Sequence, residues 1–361
     1  MVKIIAVKTE YLTTQLTNQD FLTTYGTEPS VKTHVMVKIT SSDDISGIGE
    51  SCSLPDFSGE THDTIKLMID KYYSEILLEK DPFNLEAIHQ ELDHKFPANN
   101  AAKAAIDMAL YDLIGKTVNI PVYKLLGGLC RAKVETGESL GMGKPMEIAE
   151  KAAHYLEQGA KAIKLKVGVD AKQDIETVKT VRETLGEDIN IRIDANTGYS
   201  LKTAMKVLKK IERWDIEYAE QPIAAWDREG LSLLRKSFSI PIMVDESICS
   251  IGDAVELIRS EAVDFFGLKL IKHGGIFKTK KIATLAEVND IECVLISPWE
   301  TQIGIAAAIH LVLSSPNFNH PQDLGIGALK DDPTSGLHQK QGVIEVPTSP
   351  GLGVMYKFLK D

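Results

Sequence analysis

The chain has 361 residues and a net charge of -11, with 43% hydrophobic and 25% charged residues. This composition is typical of a soluble globular protein, and the acidic balance argues against a nucleic-acid or anionic-membrane partner. No apolar run approaches the ~20 residues of a membrane span, and the four cysteines show no CxxC spacing, so we expect a reduced, cytoplasmic enzyme.

Residues 1–60 are predicted to form antiparallel strands. The stretches KIIAVKTEYL and THVMVKITSS have strand-like composition, and SGIGES follows after a turn. Between them, residues 17–30 form a polar loop that is long enough to suggest a function. Residues 61–116 are predicted to be helical, and NNAAKAAIDMALYDLIGK has helical apolar spacing with Gly115 where the last turn should end.

From about residue 130, short apolar strands alternate with helical stretches, which is typical of βα units and parallel strands. Helices are predicted at 171–185, 200–213, 228–236, 251–259, 275–288 and 303–314. A charged residue closes five of the strands, at intervals of 28, 26, 25 and 24 residues: Lys166, Asp194, Glu220, Asp245 and Lys269. This regularity favours a barrel of about eight units over an open sheet, and barrel active sites lie where the strands end.

The strand AIKLKVG, residues 162–168, carries Lys164 and Lys166 on one face because strand side chains alternate. Two ammonium groups on one buried surface are costly unless they are paired or perform chemistry. On the following strands Asp194, Glu220 and Asp245 would form a row of adjacent carboxylates, whose repulsion a divalent cation resolves. All-oxygen ligation suits Mg²⁺, or Mn²⁺, and leaves room for a substrate carboxylate.

These parts predict a proton abstraction. A metal-held carboxylate has an acidified α-proton, because removal of that proton gives an enediolate whose charge the cation stabilises. A charged Lys164 beside Lys166 should favour the neutral form of Lys166, which would take the proton. Lys269 would stand on the other side of the metal, and no cofactor other than the metal ion is expected.

Other interpretations stay open at this point. A single acidic residue at a strand end is commonly a helix N-cap or a solvated loop residue. A Schiff-base lysine aldolase on the same barrel would need no metal. A metal-binding protein without activity would have no need of both lysines.

The sequence resembles the muconate-lactonizing-enzyme branch (mandelate racemase/muconate lactonizing enzyme) of the enolase superfamily over essentially its whole length. KLKVG at 164–168 resembles the Lys-x-Lys motif of that branch. The resemblance extends to three metal-ligand motifs, found here as DANTGY at 194–199, EQP at 220–222 and DES at 245–247. GLKLIKHGG at 267–275 resembles the motif of the opposing lysine.

This resemblance implies an α/β fold, a (β/α)7β TIM-like barrel beneath an α+β capping domain formed by the N-terminal region and the C-terminal tail. The cap would span 1–125, the catalytic barrel 126–325, and a segment returning to the cap 326–361. Residues 17–30 and 53–60 would be loops that close over the substrate.

The implied activity is that of a Mg²⁺-dependent racemase or epimerase, which abstracts the α-proton of a dipeptide or an N-substituted amino acid through a metal-stabilised enediolate. Lys166 and Lys269 would be the two bases. The alternative is a cycloisomerase or lyase of the same branch, of muconate cycloisomerase or o-succinylbenzoate synthase type, in which one lysine transfers the proton. We expect a homo-oligomer that binds a small-molecule carboxylate.

Substrate contacts are expected from Trp299, Glu300 and Asp323 at the ends of strands seven and eight, and from Phe21 and Tyr25 in the first loop. Dipeptide epimerases carry Asp-x-Asp at the end of strand eight to hold the substrate ammonium group, whereas Asp323 is followed here by Leu324 and Gly325. That departure puts a free dipeptide in doubt. SPWETQIG and HPQDLGIG contain no arginine, so the acids and the ring predict a positively charged nitrogen near the α-carbon.

Overall fold

The computed structural model describes residues 2–358 of the chain. The N-terminal strands are β1 Ile4–Leu16, β2 Leu22–Thr23, β3 Gly26–Thr27, β4 Val31–Ser41 and β5 Ser46–Cys52. β1, β4 and β5 pair in that order as an antiparallel sheet, whereas β2 and β3 form a small hairpin. The strands predicted for this region are confirmed, and the polar loop at 17–30 contains the hairpin.

Helices pack on this sheet: α1 Pro55–Ser58, α2 His62–Met68, a π-helical turn Ile69–Tyr73, α3 Ser74–Leu77, α4 Leu85–Lys95, α5 Asn100–Thr117 and α6 Val122–Leu125. α5 lies directly on β5, where a Cβ at Gly49 would be 2.1 Å from the carbonyl oxygen of Ala105, so only glycine permits this packing. The predicted helical end at residue 116 lies within one residue of the observed end, but Gly115 does not follow the last turn as expected. α5 continues to Thr117, and Gly115 instead leaves room for the backbone of Gly351, which a Cβ would approach to 2.7 Å.

A short strand, β6 Val134–Glu135, precedes the barrel. The barrel strands are β7 Glu138–Leu140, β8 Ala162–Lys166, β9 Asn190–Asp194, β10 Ile216–Glu220, β11 Ile242–Val244, β12 Phe265–Leu268 and β13 Glu292–Leu295. From β7 to β13 they form one parallel sheet in chain order. Residues 322–323 close this sheet in the position of an eighth strand. Asp323 bridges to Ile296 after β13, and Gln322 bridges to Thr136 before β7. The predicted barrel is confirmed.

The barrel helices are α7 Pro145–Glu157, α8 Ala171–Leu185, α9 Leu201–Ile211 with a 3-10 turn Glu212–Trp214, α10 Arg228–Ser237, α11 Ile251–Arg259, α12 Leu270–His273, α13 Ile276–Glu287 and α14 Gln302–Leu313. The six helices predicted in this part end within two residues of the observed bounds. β9 shows how the strands present their side chains. Ile191 and Ile193 pack in the main hydrophobic core, so Arg192 and Asp194 point into the barrel.

The C-terminal tail joins both parts of the molecule. β14 Leu329–Lys330 pairs with β1 in the capping sheet, while β15 Gln339–Lys340 and β16 Val343–Ile344 form a hairpin that pairs with β6. A barrel beneath a cap built from both ends of the chain is thus confirmed, while the boundaries at 125 and 325 stay predictions. Across residues 2–358, no helix combines the length and the apolar character needed to cross a membrane.

Candidate active site

A cavity of about 380 Å³ lies where the barrel strands end, beneath the capping residues. The cap contributes walls from both predicted loops, including Phe21 and Phe57. The barrel contributes Lys166 and Lys269 among others. The cavity therefore lies at the strand ends where the sequence predicted the active site.

Three carboxylates are brought together on adjacent strands. Asp194 and Glu220 are the last residues of β9 and β10 and stand opposite each other in the register, and Asp245 directly follows β11. All three side chains are buried. The predicted row of acids is therefore present.

Each carboxylate of the row is paired with a lysine of the predicted set. Lys166 Nζ lies 2.5 Å from Asp194 Oδ2, Lys164 Nζ lies 2.9 Å from Glu220 Oε2, and Lys269 pairs with Asp245. Burial lowers the pKa of Lys164, but Asp323, Glu220 and Asp194 outweigh burial and raise that pKa well above its usual value. Lys164 is therefore a permanent cation next to Lys166.

The three acids have the oxygen ligands that a hard divalent cation requires. Within residues 2–358, no three His, Cys, Asp or Glu side chains stand in a ready-made metal-binding group, and each acid of the row is paired with a lysine. Yet Glu220 Oε1 is buried and has no hydrogen-bond partner among the described residues. Burial, and then Asp194, raise the pKa of Glu220 to about 8. An oxygen-preferring cation would give this oxygen a partner and offset the repulsion between the acids, so the residues fit Mg²⁺.

Lys272 is a member of this cluster that the sequence analysis did not single out. It is buried on the short helix α12, and its ammonium group contacts the Asp245 carboxylate and, at 2.6 Å, the Asp245 carbonyl oxygen. Burial raises the pKa of Asp245, but Lys269 and Lys272 outweigh burial and hold that pKa well below its usual range. The sequence signal for Lys272 was its spacing from Lys269 in KLIKHGG. Two lysines that are three residues apart lie on the same side of a helical turn.

Asp323 lies in the cavity wall, but its charge is already compensated. Oδ2 lies 2.7 Å from Lys164 Nζ, and Oδ1 accepts a 2.8 Å hydrogen bond from Arg192 Nη1. Arg192 is completely buried, stacks 4.9 Å from the Tyr218 ring centroid and also pairs with Glu217. As predicted, no arginine lines this end of the cavity among the described residues, but Arg192 of β9 contacts Asp323 from behind the cavity wall. The sequence signal for Arg192 was its position two residues before Asp194 in IRIDAN, which places both side chains on the same face of the strand.

Trp299 and Phe21 form an aromatic wall of the cavity. The Trp299 φ of +67° lies in the left-handed region, which is strained for a bulky residue and concentrates at functional sites. The two rings meet edge-on at 5.0 Å between centroids, and Lys32 Nζ lies 5.9 Å from the Trp299 centroid. Lys32 is buried and pairs at 2.5 Å with Glu28. No sequence pattern pointed to this ion pair beside the wall.

Glu300 does not line the cavity, so the expectation that it contacts the substrate there is wrong. The side chain is buried behind the wall, against Gly304, where a Cβ would come within 2.7 Å of the Glu300 carboxyl carbon. Burial, and then Glu50, raise the pKa of Glu300 well above its usual value. The side chain of the neighbouring Trp299 lines the cavity instead.

Comparison with known families assigns the chain. The description "Mandelate racemase / muconate lactonizing enzyme, N-terminal domain" matches residues 8–127, and "Enolase C-terminal domain-like" matches residues 147–358, which is more than half of the chain. The chain belongs to the mandelate racemase/muconate lactonizing enzyme family. The resemblance of the sequence to this family is thereby confirmed.

This family member is 35% identical over 327 residues to L-Ala-D/L-Glu epimerase of Clostridium acetobutylicum, with 89% of this chain and 90% of that protein covered. It is 31% identical over 335 residues to N-succinyl-L-Arg/Lys racemase of Bacillus cereus, with 92% and 90% covered. The crystal structure of a dipeptide epimerase from Enterococcus faecalis, complexed with Mg and the dipeptide L-Leu-L-Tyr, has a TM-score of 0.93 at 34% identity and covers 98% of this chain and 100% of that chain. This family member is accordingly an isomerase of the enolase superfamily.

Proposed function

We propose that this chain is a Mg²⁺-dependent racemase that inverts the α-carbon of an N-acylated amino acid. The placement of two lysines on opposite sides of the carboxylate row carries the proposal. Lys166 ends β8, the second of the eight strand positions in the barrel, and Lys269 follows β12, the sixth position. The two lysines therefore lie on opposite sides of the barrel. β9 to β11, with the three acids, lie between them.

Each of these lysines serves one face of the substrate. A substrate carboxylate held at the acid row presents its α-carbon between Lys166 and Lys269. The lysine in its neutral form takes the α-proton, and the other, as an ammonium group, returns a proton to the opposite face. The roles exchange for the other enantiomer. Lys164 remains charged and stabilises negative charge on the substrate carboxylate.

The acid row would hold the metal ion through Asp194, Glu220 and Asp245. Mg²⁺ would acidify the α-C–H bond by neutralising the charge that develops on the substrate carboxylate. Mn²⁺ has the same preference for oxygen ligands and is the alternative ion.

The charges around Asp323 favour an uncharged substrate nitrogen. Asp323 is paired with two buried cations, Lys164 and Arg192, and the position that carries the second acid of dipeptide epimerases is Gly325. A substrate ammonium group there would find both Asp323 oxygens already paired with cations. An amide nitrogen carries no charge, and its acyl group has room beside Gly137 and Gly325 in the cavity wall.

Exchange of the α-proton in D₂O tests this function. The enzyme with Mg²⁺ is given each enantiomer of an N-acetyl amino acid and of the matching dipeptide, and proton loss and inversion are followed by NMR and chiral chromatography. We expect exchange with inversion for both N-acetyl enantiomers and slower exchange for the dipeptide. Faster exchange of the dipeptide would refute the nitrogen assignment.

Two further outcomes separate the competing reactions. Exchange without inversion would indicate a cycloisomerase or lyase that uses a single lysine. Activity that survives EDTA would refute the metal assignment and favour Schiff-base chemistry.

A further inference from the structure

The tip of the capping loop docks onto the barrel beside Lys166. Thr24 and Tyr25 form the turn between β2 and β3. The Thr24 hydroxyl donates a 2.9 Å hydrogen bond to the carbonyl oxygen of Asn196. Its methyl group lies so close to two glycines that a Cβ on either Gly168 or Gly198 would be 2.7 Å from Thr24 Cγ2. The ends of β8 and β9 therefore form a notch that accepts this threonine.

Asn196 connects the loop tip to Lys166. Its Oδ1 accepts a 2.7 Å hydrogen bond from Lys166 Nζ, and its Nδ2 donates a 3.1 Å bond to Glu246 Oε1. The same Glu246 oxygen accepts a 3.0 Å bond from the Tyr25 hydroxyl. An ammonium group requires an acceptor and a carboxylate requires a donor, so the two partners determine which way the amide points. Hydrogen bonds thus run without a gap from Tyr25 to Lys166.

The backbone of Asn196 is also held in an uncommon conformation. Its φ is +38°, that of Thr197 is +64°, and the Asn196 amide nitrogen donates a 2.9 Å bond to Asp194 Oδ1. Left-handed backbone at non-glycine residues costs energy and persists where the surroundings determine it. Asn196 is 5% exposed, so both ends of its amide depend on these partners.

Lys269 has different surroundings. Its ammonium group pairs with Asp245 and lies 4.4 Å from the Phe57 ring centroid. The hydrogen-bond chain from the loop tip therefore reaches one of the two opposed lysines, Lys166.

We propose that Asn196 and Glu246 are positioning residues that couple docking of the Tyr25 loop tip to the orientation of Lys166. Two acceptors, Asp194 Oδ2 and Asn196 Oδ1, hold Lys166 Nζ while the tip is docked. When the tip leaves, Asn196 loses part of its support and Lys166 gains rotational freedom. This inference rests on the two-base function proposed above, and it makes one face of the substrate sensitive to the loop.

The substitution Tyr25→Phe tests the coupling because it removes only the phenol hydroxyl. Exchange in D₂O of the enantiomer that Lys166 serves should slow about tenfold, as for a lost hydrogen bond to a charged group, while the other enantiomer changes less than about twofold. The variant Lys166→Ala identifies which enantiomer is which. Tyr11→Phe is the matched control, since Tyr11 also donates to a carboxylate, Asp63, at 2.8 Å. Equal slowing of both enantiomers would show a simple lid and overturn the proposal.

A second measurement is independent of activity. Coupling is reciprocal, so Lys166→Met should raise amide hydrogen exchange of residues 17–30, in the direction that Tyr25→Phe does. Lys202→Met, at an exposed position, is the control. If amide hydrogen exchange of residues 17–30 is unchanged in Lys166→Met, the coupling is overturned, even if the unsubstituted enzyme racemises both enantiomers. Raised loop exchange in an enzyme that exchanges neither enantiomer would support the coupling and refute the two-base function.

Discussion

Replacing Asp323 by asparagine should destabilise the protein, because the substitution removes the negative charge that Lys164 and Arg192 share inside the barrel. Breaking a buried ion pair by removing one partner costs about 3–5 kcal/mol. Lys164 keeps Glu220 at 2.9 Å and Arg192 keeps Glu217 at 2.5 Å, so we expect the lower end of that range, about 3 kcal/mol.

Thermal unfolding measures this loss. With an unfolding entropy of about 2.1 cal/mol/K per residue, the 361-residue chain should lose about 4 °C in Tm. Asp290→Asn, at an exposed acid before β13, is the matched control and should leave Tm unchanged. An acid that bound a substrate ammonium group would behave differently, with a raised KM and an unaltered Tm. That second pattern in Asp323→Asn would refute the reasoning.

Other predictions concern the metal, the bases and pH. Glu220→Gln should abolish Mg²⁺ binding in titration calorimetry and stop turnover with an unchanged circular dichroism spectrum, and normal turnover in EDTA would contradict this. Lys166→Ala should exchange the α-proton of one enantiomer and Lys269→Ala that of the other, so full inversion by either variant would exclude the two-base mechanism. His310 Nδ1 accepts a 3.1 Å bond from the Tyr123 amide, and burial lowers the pKa of His310 from 6.5 to about 4. Because the folded-state pKa is the lower one, stability is full above pH 6.5 and falls as the pH drops towards about 4, by at most ~1.4 kcal/mol per pH unit. His310→Gln should flatten this slope in denaturant titrations at a series of pH values, and an equal slope in the variant would contradict the assignment.

The barrel and its helices follow from local pattern. Six helix positions were predicted to within two residues, since each helix needs an apolar stripe of helical period and each strand a buried face. The place of Gly115 inside α5, and not after its last turn, depended on a contact with Gly351 that no local signal contains. Glycine there serves the approach of a remote segment, although the same residue commonly ends helices.

The charged set at the strand ends was also open to prediction, because strand parity places Lys164, Lys166 and the acid row inside the barrel whatever the loops do. The net charge of the pocket could not be predicted from the sequence. Asp323 was expected to meet a positively charged substrate nitrogen, but its partner Arg192 is 131 residues away in the chain. Glu300 was assigned to the pocket, but its side chain is buried outside the cavity wall, and burial raises its pKa well above the usual value.

Residue type and spacing therefore decide which chemical groups reach the mouth of the barrel, since alternation along a strand is a property of the chain itself. Only the closed barrel and the docked cap decide which of those groups keep their charge. Ion pairing and desolvation depend on what lies within a few ångströms, and in this molecule those neighbours come from strands and loops far apart in sequence.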